Sequence, residues 1–261
     1  MITDPLFYVA AVPAVALAGL SKGGFGGAFG FAAVPLMALV ISPVQAAGLM
    51  LPILLVMDVV AVAAYRRRFD RAIVIRLLPA GLFGTFLGWL TASVVPEDAV
   101  RIVVGTIALA FLARLWLFEH WRRRAAPSAE GFSTAKRPSF LSAQVWGTLA
   151  GYTSFVAHAG GPPYQTYVVP LRLDPVMYAG SSAIFFAILN AVKVVPYAAL
   201  GQFGTETLAT AAVLAPLAVV STFVGVRIVT VIDERAFYRI LVWSILAVAV
   251  KLIWDGVAGL V

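Results

Sequence analysis

Two stretches combine glycines, one basic side chain and helix-breaking backbone inside runs that are otherwise apolar. They are Ser21-Lys22-Gly23-Gly24-Phe25-Gly26-Gly27 and Ala157-His158-Ala159-Gly160-Gly161-Pro162-Pro163-Tyr164. Pro162 and Pro163 lack a backbone donor and glycine carries the largest ordering cost, so one helix should stop and another start at each stretch. A break leaves carbonyls of one helix and amides of the next without partners. At bilayer depth such groups must be buried in protein or face a watery cavity, which makes each break a place for a ligand. The amides of Gly23, Gly24, Gly26 and Gly27 beside the Lys22 ammonium would suit a small anion, and His158 with Gly160, Gly161 and Pro162 forms the second such place. The plainer alternatives are a Lys22 that snorkels to water or lipid phosphate and a His158 that is a neutral, hydrogen-bonded core residue.

Further polar residues lie within apolar segments. Asp58 sits between Met57 and Val59, where a charge is expensive and by default points to function. With His158 it is a candidate for proton coupling; the alternatives are a helix–helix hydrogen bond or an ion pair with Lys22 or Lys193. Lys193 follows Asn190 by three residues and so shares its helix face. Ser181 and Ser182, with Tyr164 and Gln165, are candidate polar lining for the same path. Arg101 and Arg239, beside Asp98 and Asp233-Glu234, are expected to fix helix ends near the interfaces.

Other chemistries find no support. There is no Walker A loop, no dinucleotide fingerprint in a strand context, and no histidine or carboxylate cluster at metal spacing, so neither cofactor nor metal is expected. Cysteine is absent, which excludes disulfides and thiolate sites.

The elements that must position these residues are membrane helices. Of 261 residues 62% are hydrophobic and 12% charged, with a mean hydropathy of +0.97, far from the mix of a soluble domain. Apolar segments occupy 6–20, 25–41, 44–65, 72–95, 99–118, 140–157, 164–171, 176–200, 207–231 and 236–257. A crossing needs roughly 20 apolar residues, so 164–171 cannot span alone, and the pieces around each break read as arms of a broken or re-entrant hairpin. The formal charge of +7 is not a nucleic-acid patch, because nine of the nineteen basic residues fall in 66–71 and 122–137, beside apolar segments. That is topology signal. The start Met1-Ile2-Thr3-Asp4-Pro5 has no basic n-region, so a cleaved signal peptide is not expected.

The chain divides into a first transmembrane repeat, 1–120, a basic cytoplasmic linker, 121–138, and a second repeat, 139–261. Sliding one half past the other by about 132 to 138 residues brings together like residues, the mark of an internal repeat. Val34-Pro35-Leu36 falls on Val169-Pro170-Leu171, Asp58 on Asn190, Tyr65 on Tyr197, Pro79 on Pro216, Thr85 on Thr222, Gly88 on Gly225, Arg101 on Arg239 and Trp116 on Trp254. With 66–71 and 122–137 cytoplasmic, the loop at Ser42-Pro43 is outside. If each hairpin returns to its own side, each half crosses an odd number of times and the halves are inverted; Arg172, Arg227, Arg235 and Arg239 then become cytoplasmic as well. The expected fold is therefore all-α and integral to the membrane, two inverted repeats, each a broken hairpin followed by three transmembrane helices. The breaks should enter from opposite faces and meet near the midplane.

Gly19-Leu20-Ser21-Lys22-Gly23-Gly24-Phe25-Gly26-Gly27 and Pro35, together with His158-Ala159-Gly160-Gly161-Pro162-Pro163, Asn190 and Lys193, resemble the sulfite exporter family TauE/SafE from end to end. The resemblance implies export of sulfite or small organosulfur anions, sulfoacetate among them, across the bacterial inner membrane. The resulting expectation is a secondary transporter coupled to protons or to membrane potential. Its partners are a small anion and the lipid bilayer, with no nucleic acid, and a homodimer is left open. A passive anion channel and an intramembrane enzyme using His158 and Asp58 are the rival readings.

Overall fold

In the computed structural model the described residues are 1–27, 30, 33–91, 99, 102, 105, 106, 109, 112, 113 and 139–260. The linker 121–138, Asp98, Arg101, Trp116 and most of the segment 99–118 lie outside them. The helices are α1 (Pro5–Gly24), α2 (Ala33–Met37), α3 (Pro43–Tyr65), α4 (Arg71–Thr91), α5 (Phe140–Ala157), α6 (Gly161–Val168), α7 (Pro175–Ala199), α8 (Thr205–Val231) and α9 (Glu234–Leu260), with a 3-10 turn at Val169–Leu171. Six of them, α1, α3, α4, α7, α8 and α9, are long and apolar enough to cross a membrane. The chain is a multi-pass membrane protein. Leu6, Val59, Phe83, Val220, Phe223 and Trp254 are among the large apolar side chains left exposed on the outside, as lipid requires.

Helix starts follow local chemistry. Asp4, Ser42 and Asp174 each cap a helix through a side-chain oxygen, and each is followed by the proline that opens it. Proline at the first position loses only an amide that had no partner there. Asp70 caps α4 through Ala72 and Ile73 at 2.8 and 3.1 Å. The first break begins later than expected: α1 continues through Ser21, Lys22 and Gly23, and the Ser21 carbonyl accepts from both Phe25 and Gly27. Within the apolar segment 25–41, the short helix α2 takes Ala33–Met37. Gly26 and Gly27 adopt left-handed backbone with φ of 61° and 81°, which ends the helix.

Each half starts with a helix that runs parallel to its third. Ala18 and Leu54 share a cavity wall, Lys22 meets Asp58, and Gly23 meets Tyr65 at the end of α3. Ser154 meets Lys193 and Phe155 meets Tyr197 in the same way along α5 and α7. Parallel neighbours force the chain between them to double back, the work of α2 in one half and of α6 with its 3-10 turn in the other. By contrast α3 and α7 run antiparallel: Tyr65 lies beside Gly180, Asp58 beside Asn190, and Ala47 and Tyr197 both touch His158.

The halves are interlocked. The first helix of each packs most closely on the fourth helix of the other, α1 on α8 and α5 on α4. Glycine makes this possible: Gly19 and Gly23 of α1 lie against Ser221 and Thr222, and Gly24 against Gly225, while Gly147 and Gly151 of α5 lie against Leu77, Ala80 and Gly81. Small residues four apart let two backbones touch, the packing available where lipid removes the hydrophobic drive. A methyl group at Gly151 would overlap the Gly81 carbonyl, whereas at Gly204 the nearest atom would be Thr207 Oγ1 at 4.0 Å. Gly151→Val should accordingly lower stability by ~1–3 kcal/mol or more, while Gly204→Ala stays within about 0.5 kcal/mol of the parent. Denaturant unfolding of the detergent-solubilised protein checks this, and equal effects at the two sites would contradict the packing.

Candidate functional site

The two breaks meet at a cavity of about 50 Å³, room for several waters or a small oxyanion. Lys22, Gly26, Gly27, Ser154, His158, Gly160, Ser182, Asn190 and Lys193 supply its polar wall, and Ala18, Gly30, Leu54, Ala183 and Phe186 the rest.

Two lysines line this space. Lys22, delivered by the last turn of α1, forms an ion pair with Asp58 at 2.6 Å. The other carboxylate oxygen of Asp58 accepts from the Asn190 amide at 2.7 Å. Asp58, Lys22 and Asn190 are all buried, so the expected alternatives for Asp58 resolve geometrically into an ion pair with Lys22 plus a helix–helix hydrogen bond to its own repeat counterpart. Lys193 is fully buried and donates to the carbonyl and hydroxyl of Ser154 at 2.8 and 2.9 Å. Among the described residues it has no carboxylate partner. The cavity wall thus carries two lysines, one of them paired with Asp58.

His158 ends α5 in a left-handed conformation, φ 49°, the same role Gly26 has after α1, 132 residues earlier. Its Nε2 lies 3.2 Å from the Ala47 carbonyl and 3.2 Å from the Tyr197 hydroxyl. A carbonyl can only accept, so the proton sits on Nε2 and the neutral ring presents its bare, buried and unpartnered Nδ1. Nδ1 becomes a donor only when the ring is charged.

Other predicted residues are placed differently. Gly23 and Gly24 are turned to α8 rather than to the cavity, and Gly161 sits against Gly27, where a methyl group would lie 3.0 Å from its carbonyl. Pro162 and Pro163 are buried in the first turn of α6, so the amide cradle expected there is reduced to Gly160 and Gly161. Tyr164 and Gln165 are buried on α6 outside the cavity wall. Ser181 is not on the wall; it donates to Met177 O and accepts from Asp70 N. Its neighbour Ser182 is on the wall and donates to the Gly26 carbonyl at 2.8 Å. Sequence reading missed Ser154 and Phe186. The repeat offset held the signal for Ser154, because the shift that matches Asp58 with Asn190 also sets Ser154 against Lys22. The same shift links two more bonds: Tyr65 donates to the Gly23 carbonyl, and Tyr197 donates to the Phe155 carbonyl at 3.1 Å.

Residues 11–252 match the family model described as Sulfite exporter TauE/SafE. The chain belongs to the TauE/SafE family. No curated protein and no solved structure matches it. The family is one of membrane transporters for sulfite and related sulfur anions, and a cavity with excess positive charge between two glycine breaks is in keeping with such a cargo.

The TauE/SafE fold of this chain makes the Lys22–Asp58 pair a sensitive point. Removing one partner of a buried ion pair leaves the other charge uncompensated, at a cost of about 3–5 kcal/mol. In anion-free buffer Asp58→Asn should therefore destabilise the protein by that amount, and adding Lys22→Met should recover part of it, with a coupling energy of ~0.5–3 kcal/mol. Additive single effects in denaturant unfolding would show that the two side chains do not depend on each other.

Proposed function

We propose that this protein is a secondary transporter that exports a small sulfur oxyanion, sulfite or an organosulfonate, across the bacterial inner membrane, binding it in the cavity between the glycine breaks. The observation that carries the reading is Lys193, a fully buried ammonium with no carboxylate partner among the described residues, pointed at a cavity whose second lysine is already matched by Asp58. A buried cation is tolerated when an anion and good hydrogen bonds complete it. The bound oxyanion would receive charge-assisted bonds from Lys193 and Lys22 and neutral ones from the Ser154 hydroxyl and the Gly160 amide.

The two halves are read as inverted repeats about an axis passing between Asp58 and Asn190. Support comes from the exchange of first and fourth helices, the antiparallel run of α3 and α7, and the matched tyrosine bonds and left-handed caps 132 residues apart. Alternating access then follows as the exchange of packing between the halves. The division into 1–120, a cytoplasmic linker and 139–261 belongs to the same proposal.

Asp58 acts as a tethered stand-in for the cargo. Ionised, it occupies Lys22. Protonated, it releases Lys22 to the oxyanion, so anion affinity rises as the pH falls and proton movement is tied to transport; His158, gaining a donor at Nδ1, works in the same direction.

Purified protein should bind radiolabelled sulfite saturably, and Lys193→Met should weaken it about 10- to 150-fold, the equivalent of one charge-assisted bond at ~1.5–3 kcal/mol. Retention of affinity within about twofold would remove Lys193 from the site. Flux into proteoliposomes that rises linearly with sulfite instead of saturating would identify a channel. Asp58→Asn, measured with anion present to supply the missing negative charge, should hold the low-pH affinity across the range. A sulfonate is the suitable probe for that profile because its own charge is constant there, and an unaltered wild-type profile would exclude Asp58 from coupling.

A further inference from the structure

One face of α7 passes the cavity at near four-residue steps: Tyr178, Ser182, Phe186, Asn190 and Lys193. The last four line the cavity and Tyr178 stands one turn beyond it. Around Tyr178 lie Tyr164 and Gln165 of α6. All three residues are fully buried, yet among the described residues the hydroxyls of Tyr164 and Tyr178 and both amide atoms of Gln165 have no partner at hydrogen-bond geometry. The Gln165 carboxamide faces the Tyr178 phenol and is the nearest group that could bond to it. Leaving a buried polar group unmatched costs about 1–3 kcal/mol each, while an apolar residue of similar shape would avoid the cost. The Tyr164 and Tyr178 rings stand 6.3 Å apart, and buried polar atoms left in this way are ones that a transient ligand can satisfy.

The backbone of the breaks separates this trio from the lysines. A methyl group at Gly26 would lie 2.6 Å from the Tyr178 ring and 3.0 Å from Ser182 Oγ, and one at Gly161 would lie 3.0 Å from the Gly27 carbonyl and 4.0 Å from the Gln165 amide nitrogen. Gly26, Gly27 and Gly161 therefore form a constriction, with the charged cavity on one side and the neutral trio on the other. Gly180, two residues past Tyr178, packs against the Arg68 carbonyl, so the trio lies toward the arginine-rich end of α3, cytoplasmic by the charge rule. The α3 counterpart of Tyr178, 132 residues earlier, is Ala46, so that position offers a phenol on one side of the cavity only.

We propose that Tyr164, Gln165 and Tyr178 form a second, uncharged station for the same oxyanion, on the cytoplasmic side of the Gly26–Gly27–Gly161 constriction, occupied on the way to the cavity. The proposal rests on the reading that the cavity holds the anion. Two phenols and one carboxamide offer several donors and no formal charge, enough to hold a partly dehydrated oxyanion and too little to trap it, as a conducting path requires. The two lysines beyond the constriction then provide the tighter site.

The test uses full-length protein with Tyr178→Phe, Tyr164→Phe or Gln165→Met, each close in shape to the parent. Radiolabelled sulfite is measured twice, as equilibrium binding and as initial rate into proteoliposomes. The rate should fall about tenfold in Tyr178→Phe while the dissociation constant stays within about twofold. The Tm of Tyr178→Phe should equal or exceed that of the parent, since an unpartnered hydroxyl contributes nothing to the apo fold. An unchanged rate overturns the station and leaves a packing cluster or structural water. Loss of binding in step with rate also overturns it, by placing the trio in the cavity's own site. Failure of the parent protein to bind sulfite would overturn the cavity reading itself, and the station with it.

Discussion

Everything in this protein hangs on two helix pairs packed backbone to backbone, α1 on α8 and α5 on α4. Lipid offers helices no hydrophobic reason to associate, so contact must come from close van der Waals packing, and close packing needs residues without side chains at the seam. Gly19, Gly23 and Gly24 on one seam and Gly147 and Gly151 on the other meet that requirement. Because each pair joins one half to the other, the same contacts that hold the molecule together also bring both broken hairpins to one place.

The broken hairpins solve a hydrogen-bonding problem and create an electrostatic one. Their carbonyls are taken up by neighbours: Ser182 covers Gly26, Tyr65 covers Gly23, Tyr197 covers Phe155 and Thr153 covers Ala159. Backbone ends so satisfied can stay in the membrane without water. The cations are another matter. Asp58 matches Lys22, but Lys193 is met only by the dipoles of Ser154. A buried ammonium met in this way is the feature on which the proposed anion site rests.

The likeness of the two halves in sequence at an offset of 132 residues makes their departures informative. Aspartate in one half stands where asparagine stands in the other, and the two bond to each other across the middle. Lysine at Lys22 corresponds to serine at Ser154, and lysine at Lys193 to Ala61. A symmetric site would have placed like charges in contact. The substitutions instead put Lys193 opposite a hydroxyl in one half and Lys22 opposite the carboxylate of Asp58 in the other. Tyr178 against Ala46 extends the asymmetry toward one face of the molecule.

Much of this was legible in the residues. Apolar length specifies membrane helices, Asp-Pro and Ser-Pro pairs specify where α1, α3 and α7 begin, and glycine with paired prolines specifies that Phe140–Ala157 must end before a short helix opens, because these are local properties of the backbone and its solvation. Lys22, His158, Asn190 and Lys193 also stand out by themselves, since charge and polarity are rare in an apolar run. The first break opens four residues later than the glycine pattern indicates, because the Ser21 carbonyl accepts two amides and α1 runs on to Gly24, a choice no composition reveals. Which side of each helix faces the cavity was likewise beyond one dimension: Ser181 and Ser182 are neighbours with the same chemistry, yet one secures Asp70 and the other lines the site. Tyr164 and Gln165 share a helix with the break but lie behind its constriction. Spacing along a chain says which residues share a helix, whereas tertiary packing decides which of them meet: α1 beside α3 gives Lys22 its carboxylate and α5 beside α7 gives Lys193 its hydroxyl across 36 and 39 residues, and α3 against α7 joins Asp58 to Asn190 across 132, because the partners are set by which helices pack and not by distance along the chain.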